Sequence, residues 1–283
     1  MRWRRDIWTP PGISSKSCRK WSVARKEKSP GSREVFATWK RWPMRQIEKR
    51  AQPRELAGWR AANQAAPARG GINFGYDALR QSPGVATRLL ESLLAEQGGL
   101  CAYTGRRIDL GSAHVEHLIP QTHCERGQDV AYDNLVACWP QPNGPHGHFG
   151  AHAKGSWPSP AETDQFVSPL RKGCESRFVF NQRGEINPAN PADPAAAATI
   201  RKLKLDHKLL TALRRSEIEG VLGRERDLSL KEARRRLRSI EAAEALLKDG
   251  ASVTLDPFCF ALKQALTKYI KVGERRRKFG KPN

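Results

Sequence analysis

The stretch "HVEHLIPQTHC", His114 to Cys124, holds three of the chain's seven histidines, a glutamate and a cysteine. Val115, Leu118 and Ile119 predict a short strand that stops at Pro120, with Glu116 and His117 near its end. Successive strand residues point to opposite faces, so Glu116 and His117 share one site only if the chain bends there, and Pro120 suits such a break. A carboxylate suits a hard divalent cation. A neutral imidazole, with an ordinary pKa of about 6.5, suits a general base. His114 shares the strand face of Glu116. Its commoner role is that of a hydrogen-bonded surface histidine, and its alternative role is metal ligation. His123 and Cys124 fall in a loop and read as incidental.

Two further stretches carry chemistry. "DVAYDNLVACW" (129–139) brings Asp133, Asn134 and Cys138, and "NGPHGHFGAHAKGSW" (143–157) brings His146, His148, His152 and Lys154. Taken singly each is ordinary, since "DN" before an apolar pair is usually a turn and "HAKG" usually a surface loop. The spacing from His117 to Asn134 to His152 leaves room for a strand, a loop and a helix. The three pieces together are much harder to obtain by chance.

The rest of the chain sets the context. It has 283 residues and a formal net charge of +21, which suggests a polyanionic partner, most commonly nucleic acid. No apolar run approaches the roughly 18 residues of a membrane span, and no signal peptide is evident. Six cysteines in no regular pattern read as a reduced, cytoplasmic protein. Residues 1–43 carry 12 Lys and Arg against 3 Asp and Glu, and residues 199–283 carry 22 against 11. Residues 98–181, with six of the histidines, carry 7 against 8. Basic flanks around a neutral histidine-rich middle suit a catalytic module held on nucleic acid, and equally two unrelated basic tails.

Residues 1–43 hold five of the eight tryptophans and no hydrophobic period. They read as an upstream misreading before Met44 or as a disordered basic arm that grips nucleic acid. Residues 44–97 read as a helical segment, with one helix near Pro53–Gln64, a Gly/Ala/Pro loop at "AAPARGG", and a second helix started by Ser82-Pro83 and stopped by Gly98-Gly99. Residues 98–190 read as short strands and long loops. "NPANPADPAAAA" reads as a Pro/Ala linker. Residues 199–283 read as helices, one with a "SLKE" capping box at Ser229–Glu232 and one starting at Asp256-Pro257, before a frayed tail. The fold class expected is α+β.

The order Glu-His, Asn, His in "VEHLIPQ", "YDNLVAC" and "AHAKGSW" resembles the HNH nucleases of the ββα-metal fold. With "GGLCAYTGRRI" (98–108) and "FVSPLRKGCESRFVF" (166–180) in the same order, the chain is similar, over roughly Met44 to Gly220, to the HNH subunit of Septu and retron-linked anti-phage systems, the PtuB-like family. The resemblance implies a ββα-metal module set among helices, DNA hydrolysis with one Mg²⁺ or Mn²⁺ per site, and an ABC/SMC-like ATPase partner. The helical region 199–283 is the candidate docking segment for that partner. The resemblance also implies roles. His117 is the general base, Glu116 and His152 hold the metal, and Asn134 orients the base or ligates the metal. Lys154 contacts phosphate, and Arg106 and Arg107 either do the same or only solvate a turn.

One departure stands out. Members of this family carry a Cys-x-x-Cys here and a second cysteine pair later, together a structural zinc site, whereas this chain reads Cys101-Ala-Tyr-Thr104. Cys101, Cys138, His146 and His148 can assemble a variant zinc site. The favoured expectation is that zinc is lost and packing replaces it. Two other functions fit the same residues: an RNA- or tRNA-cleaving toxin, and a non-catalytic basic scaffold for nucleic acid. The basic arm "RRRLR" (234–238) reads as a solvated helix face, and His207 as structural or exposed.

Overall fold

The apolar run "LVAC" is wholly buried as strand β2 (Leu135–Cys138), and it pairs antiparallel with strand β1 (His114–His117). In that ladder His114 faces Cys138, Glu116 faces Val136 and His117 faces Leu135. β1 is shorter than the sequence predicts: Leu118 and Ile119 lie beyond the ladder in a bend, so the break falls one residue after His117 rather than at Pro120. The computed structural model describes residues 45–64, 74–141, 148–223, 225 and 227–280. The basic extension 1–43, the "AAPARGG" loop and His146 lie outside the described residues.

Helices α1 (Arg54–Gln64), α2 (Tyr76–Arg80) and α3 (Pro83–Gln97) precede the hairpin. α3 begins at Pro83, directly after Ser82, and buries Leu89 and Leu93, as its apolar stripe predicts. It ends at Gly98, whose φ of 63° is left-handed and whose absent Cβ would lie 2.7 Å from Leu255 Cγ. Only glycine meets both conditions. Short helix α4 (Ala151–Lys154) follows the hairpin, and a second hairpin pairs β3 (Phe178–Phe180) with β4 (Ile186–Pro188). The described residues therefore combine helices with two small antiparallel sheets, an α+β arrangement.

The remaining helices are α5 (Pro194–Lys202), α6 (Lys208–Leu222), α7 (Leu230–Lys248) and α8 (Cys259–Lys278). The expected linker "NPANPADPAAAA" is not a linker. It closes β4, turns, and starts α5, where the Asp193 side chain accepts the Ala196 N–H and Pro194 takes the first helical turn. The Ser229 cap of α7 is present as expected, its side chain accepting the Glu232 N–H. α8 starts at Cys259 rather than at Asp256-Pro257, because Phe258 adopts a left-handed φ of 52°. The tail is helical through Lys278, not frayed.

The described residues from 45 onward belong to one compact unit. Leu255 N–H donates to Gly98 O at 3.0 Å and Phe258 N–H to Gly105 O at 2.9 Å, so the segment before α8 is bonded to the segment before β1. No helix among the described residues is long and apolar enough to cross a membrane.

One buried carboxylate joins three segments. Glu96 on α3 accepts from the Lys49 ammonium, from Arg50 N–H at 3.1 Å and from the Tyr132 hydroxyl at 2.9 Å. Lys49 also donates to Leu135 O at 3.0 Å, which ties residues 45–50 to β2. Burial lowers the Lys49 pKa against the pull of Glu96. Glu96→Ala strands these donors in the core and should destabilise the protein by about 3–5 kcal/mol. Urea denaturation measures this, and an unchanged midpoint contradicts the clamp.

Candidate active site

Glu116, His117 and Lys154 meet where α4 closes on the end of β1. Lys154 is buried, and its ammonium donates to His117 O at 2.7 Å and pairs with Glu116 Oε1 at 3.0 Å. This departs from the expected phosphate contact. The Lys154 side chain faces inward and holds α4 against β1. The three residues line an open cleft of about 230 Å³ whose other walls include Gln121, Thr122 and Ser156, all exposed. Glu116 and His117 thus share a site, as a bend after His117 allows.

His117 is held on two sides. Its Nε2 lies 2.8 Å from Asp129 O, and its ring meets Tyr76 edge-on at 4.6 Å. A carbonyl only accepts, so Nε2 carries the proton and a neutral ring leaves Nδ1 with a lone pair. Burial pushes the His117 pKa down, the Asp129 carbonyl and Glu116 push it up, and the net shift is downward. Asp129 acts twice, because its carboxylate also accepts Tyr76 N–H at 2.7 Å and so fixes the start of α2. The sequence carries no signal for a role played by a backbone carbonyl.

Asn134 does not touch the cleft. It is buried and staples the loop after β1. Its Oδ1 accepts Ile119 N–H at 2.7 Å, and its Nδ2 donates to Ile119 O and Gln128 O, both at 3.2 Å, and to Cys124 Sγ at 3.4 Å. The stapled loop carries Asp129, whose carbonyl lies against His117. Cys124 is therefore part of this staple rather than incidental.

Glu116 is the carboxylate of the site. Burial pushes its pKa up, but His114 and Lys154 outweigh burial and hold it below the usual range. His114 Nε2 lies 3.5 Å from Glu116 Oε2, and the His114 and His152 rings lie 6.5 Å apart across the cluster. His152 is exposed on α4. Among the described residues, no three His, Cys, Asp or Glu side chains stand at metal-holding spacing. The Tyr103 hydroxyl is buried near Glu116, and burial, followed by the carboxylate's charge, pushes its pKa up.

The remaining candidates lie elsewhere. The Arg106 guanidinium sits 4.1 Å over the Trp139 ring, and Arg107 donates to Leu255 O at 2.5 Å. Arg107 thus ties the C-terminal segment to the chain before β1, where the sequence left a phosphate contact and a solvated turn both open. Cys101 and Cys138 are buried side by side. Burial raises the Cys101 pKa, but donors from Cys138, Thr104 and Trp139 N–H outweigh it and lower the pKa overall. Thr104 stands where the resemblance implies a second cysteine. The His148 ring faces His207 at 6.4 Å.

Asn134→Ala should remove four contacts at once and leave Ile119 N–H without its acceptor, lowering stability by about 2–4 kcal/mol. Hydrogen exchange would show the Ile119 amide opening faster, whereas unchanged protection contradicts the staple. A scan against protein-family models and a search of curated proteins gave no match to this chain.

Proposed function

We propose that this protein is a metal-dependent endonuclease of the HNH type that hydrolyses phosphodiester bonds in DNA. The observation that carries the reading is the convergence of the His117 imidazole and the Glu116 carboxylate on one open cleft, framed by an antiparallel hairpin and the short helix that follows it. The net charge of +21 and the exposed polar walls suit a phosphate backbone better than a small apolar ligand.

Glu116 and His152 are the residues that would hold a divalent cation: Glu116 pairs through Oε1 with Lys154 and through Oε2 with His114, and His152 lies exposed on α4. When bound, Mg²⁺ or Mn²⁺ supplies positive charge at the scissile phosphate and its leaving oxygen. His117 takes the proton from the attacking water at Nδ1, because Nε2–H is held by Asp129 O. Asp129 and Tyr76 keep the ring from turning, so the basic nitrogen keeps its direction during the proton transfer. Gln121, Thr122 and Ser156 are the groups placed to donate to the phosphate oxygens. A role as effector of an anti-phage system with an ABC/SMC-like ATPase rests on the sequence resemblance alone.

Plasmid DNA incubated with the protein and Mg²⁺ or Mn²⁺ should be cut, and EDTA should stop the cutting. His117→Ala should reduce the rate by about 10²–10⁴-fold. Equal cutting by both proteins contradicts the assignment of the base. Cleavage of a labelled tRNA in place of the plasmid would move the reading to an RNase.

A further inference from the structure

Resting on the nuclease reading above for its substrate, we propose that the paired ends of α7 and α8 form a second nucleic-acid contact, which binds the phosphate backbone of duplex DNA away from the cleft. The residues come from two segments, 231–238 and 268–278, which together carry 11 Lys and Arg against two glutamates, Glu232 and Glu274. The fold brings these segments together. α7 and α8 run antiparallel, since Arg234 pairs with Glu274 at 2.7 Å while Glu244, farther along α7, pairs with Lys263, nearer the start of α8. The approach is close. The Tyr269 hydroxyl donates to Leu228 O at 2.5 Å, and a Cβ on Gly273 would stand 2.5 Å from the Leu230 side chain.

The positive charge is not compensated locally. Glu274 is taken by Arg234, and Glu232 pairs with Arg235 at 2.7 Å and with Arg236 at 3.3 Å. Lys268, Arg275, Arg276, Arg277 and Lys278 are exposed and, among the described residues, pair with no carboxylate. Lys268, Lys271, Arg275 and Lys278 recur at three- and four-residue spacing, so they share one face about 15 Å long. That length matches roughly four base pairs of backbone. Helix stability alone does not explain these cations. The macrodipole favours those in the last turn of α8, but it disfavours Lys231 in the first turn of α7 and does not reach Lys268.

The occupant follows from what else the surface offers. α8 buries Leu262, Leu266 and Ile270 in the core, and Val272 and Phe279, though exposed, are too little apolar surface to hold a helix on a membrane. Tyr269 is engaged with Leu228 O rather than standing free as a platform for unstacked bases. The groove between the helix ends, about 920 Å³, mixes Lys268, Arg276 and Arg277 with Glu225 and Asp227. It suits a small phosphate ligand less well than the exposed row suits a continuous backbone. Contacts of this kind position a duplex and carry no base information. The patch is also separate from the cleft. α8 starts where Phe258 N–H bonds Gly105 O, on the chain leading to β1, and Lys268 lies about 14 Å farther along the helix.

The test measures binding of a labelled duplex of several helical turns by fluorescence anisotropy, in EDTA, over about 50 to 200 mM KCl. The full-length protein is compared with a patch variant carrying Lys268→Gln, Arg275→Gln, Arg276→Gln and Arg277→Gln. A control loses the same charge at other exposed sites, through Arg171→Gln, Lys172→Gln, Arg183→Gln and Arg201→Gln. Circular dichroism checks folding, and the single variants Lys268→Gln and Arg276→Gln serve if the fourfold change unfolds α8. The proposal expects the patch variant to bind at least about tenfold more weakly, with the slope of log affinity against log salt reduced by about 0.9 for each lost contact. The control should keep most of the wild-type slope. Equal losses in both variants, or wild-type binding by the patch variant, overturn the proposal. So does patch-dependent capture by phosphatidylserine vesicles without patch-dependent DNA binding. Binding without metal is read apart from cutting. A protein that needs the patch to bind DNA but never cuts it upholds the patch and removes the nuclease reading, and one that binds and cuts without the patch does the reverse.

Discussion

The Lys154 ammonium, buried between Glu116 Oε1 and His117 O, is the contact on which the site depends. A buried cation is tolerated only where charge and hydrogen bonds replace water. Here the replacements come from the strand and the ammonium comes from the helix, so the requirement to satisfy Lys154 docks α4 on β1. It also sorts the two oxygens of Glu116, capping one and leaving the other toward His114. A helix of four residues could not hold its place by its own hydrogen bonds, since isolated helices that short are unstable.

Around that contact lie supports that never enter the cleft. Asn134 fixes the loop after β1, the loop presents Asp129 O to His117, and the carboxylate of Asp129 fixes α2, which brings Tyr76 against the His117 ring. Glu96 holds residues 45–50, α3 and Tyr132 together beneath β2. Arg107 and the backbone bonds of Leu255 and Phe258 lock the C-terminal segment onto the turn that precedes β1. The chemistry proposed for His117 needs one nitrogen aimed and one nitrogen held, and these polar contacts provide the holding.

How far the sequence could be read follows from what kind of signal each feature leaves. α3, α7 and strand β1 were legible, because apolar period, caps and turn residues are local. Glu116, His117 and Asn134 were legible as a group through their order and spacing. Their roles were less so, because Asn134 acts on backbone groups and Lys154 points inward, and direction is set by packing. For Arg106 and Arg107 a phosphate contact and a solvated turn read equally well, because charge is the only property a sequence displays for them, and one lies on Trp139 while the other bonds a carbonyl. The Pro/Ala run misled for a different reason. Composition suggested a linker, while Asp193-Pro194 already carried a helix start. Asp129 left no signal, since it acts on His117 through its main-chain carbonyl.

The most direct test of the account is anomalous diffraction from crystals of the protein grown with Mn²⁺ and a short DNA duplex. The account predicts a single Mn²⁺ peak bonded to Glu116, with a backbone phosphate beside it and within water's reach of the His117 ring. A peak bonded to other residues, or DNA lying away from this cleft, would contradict it.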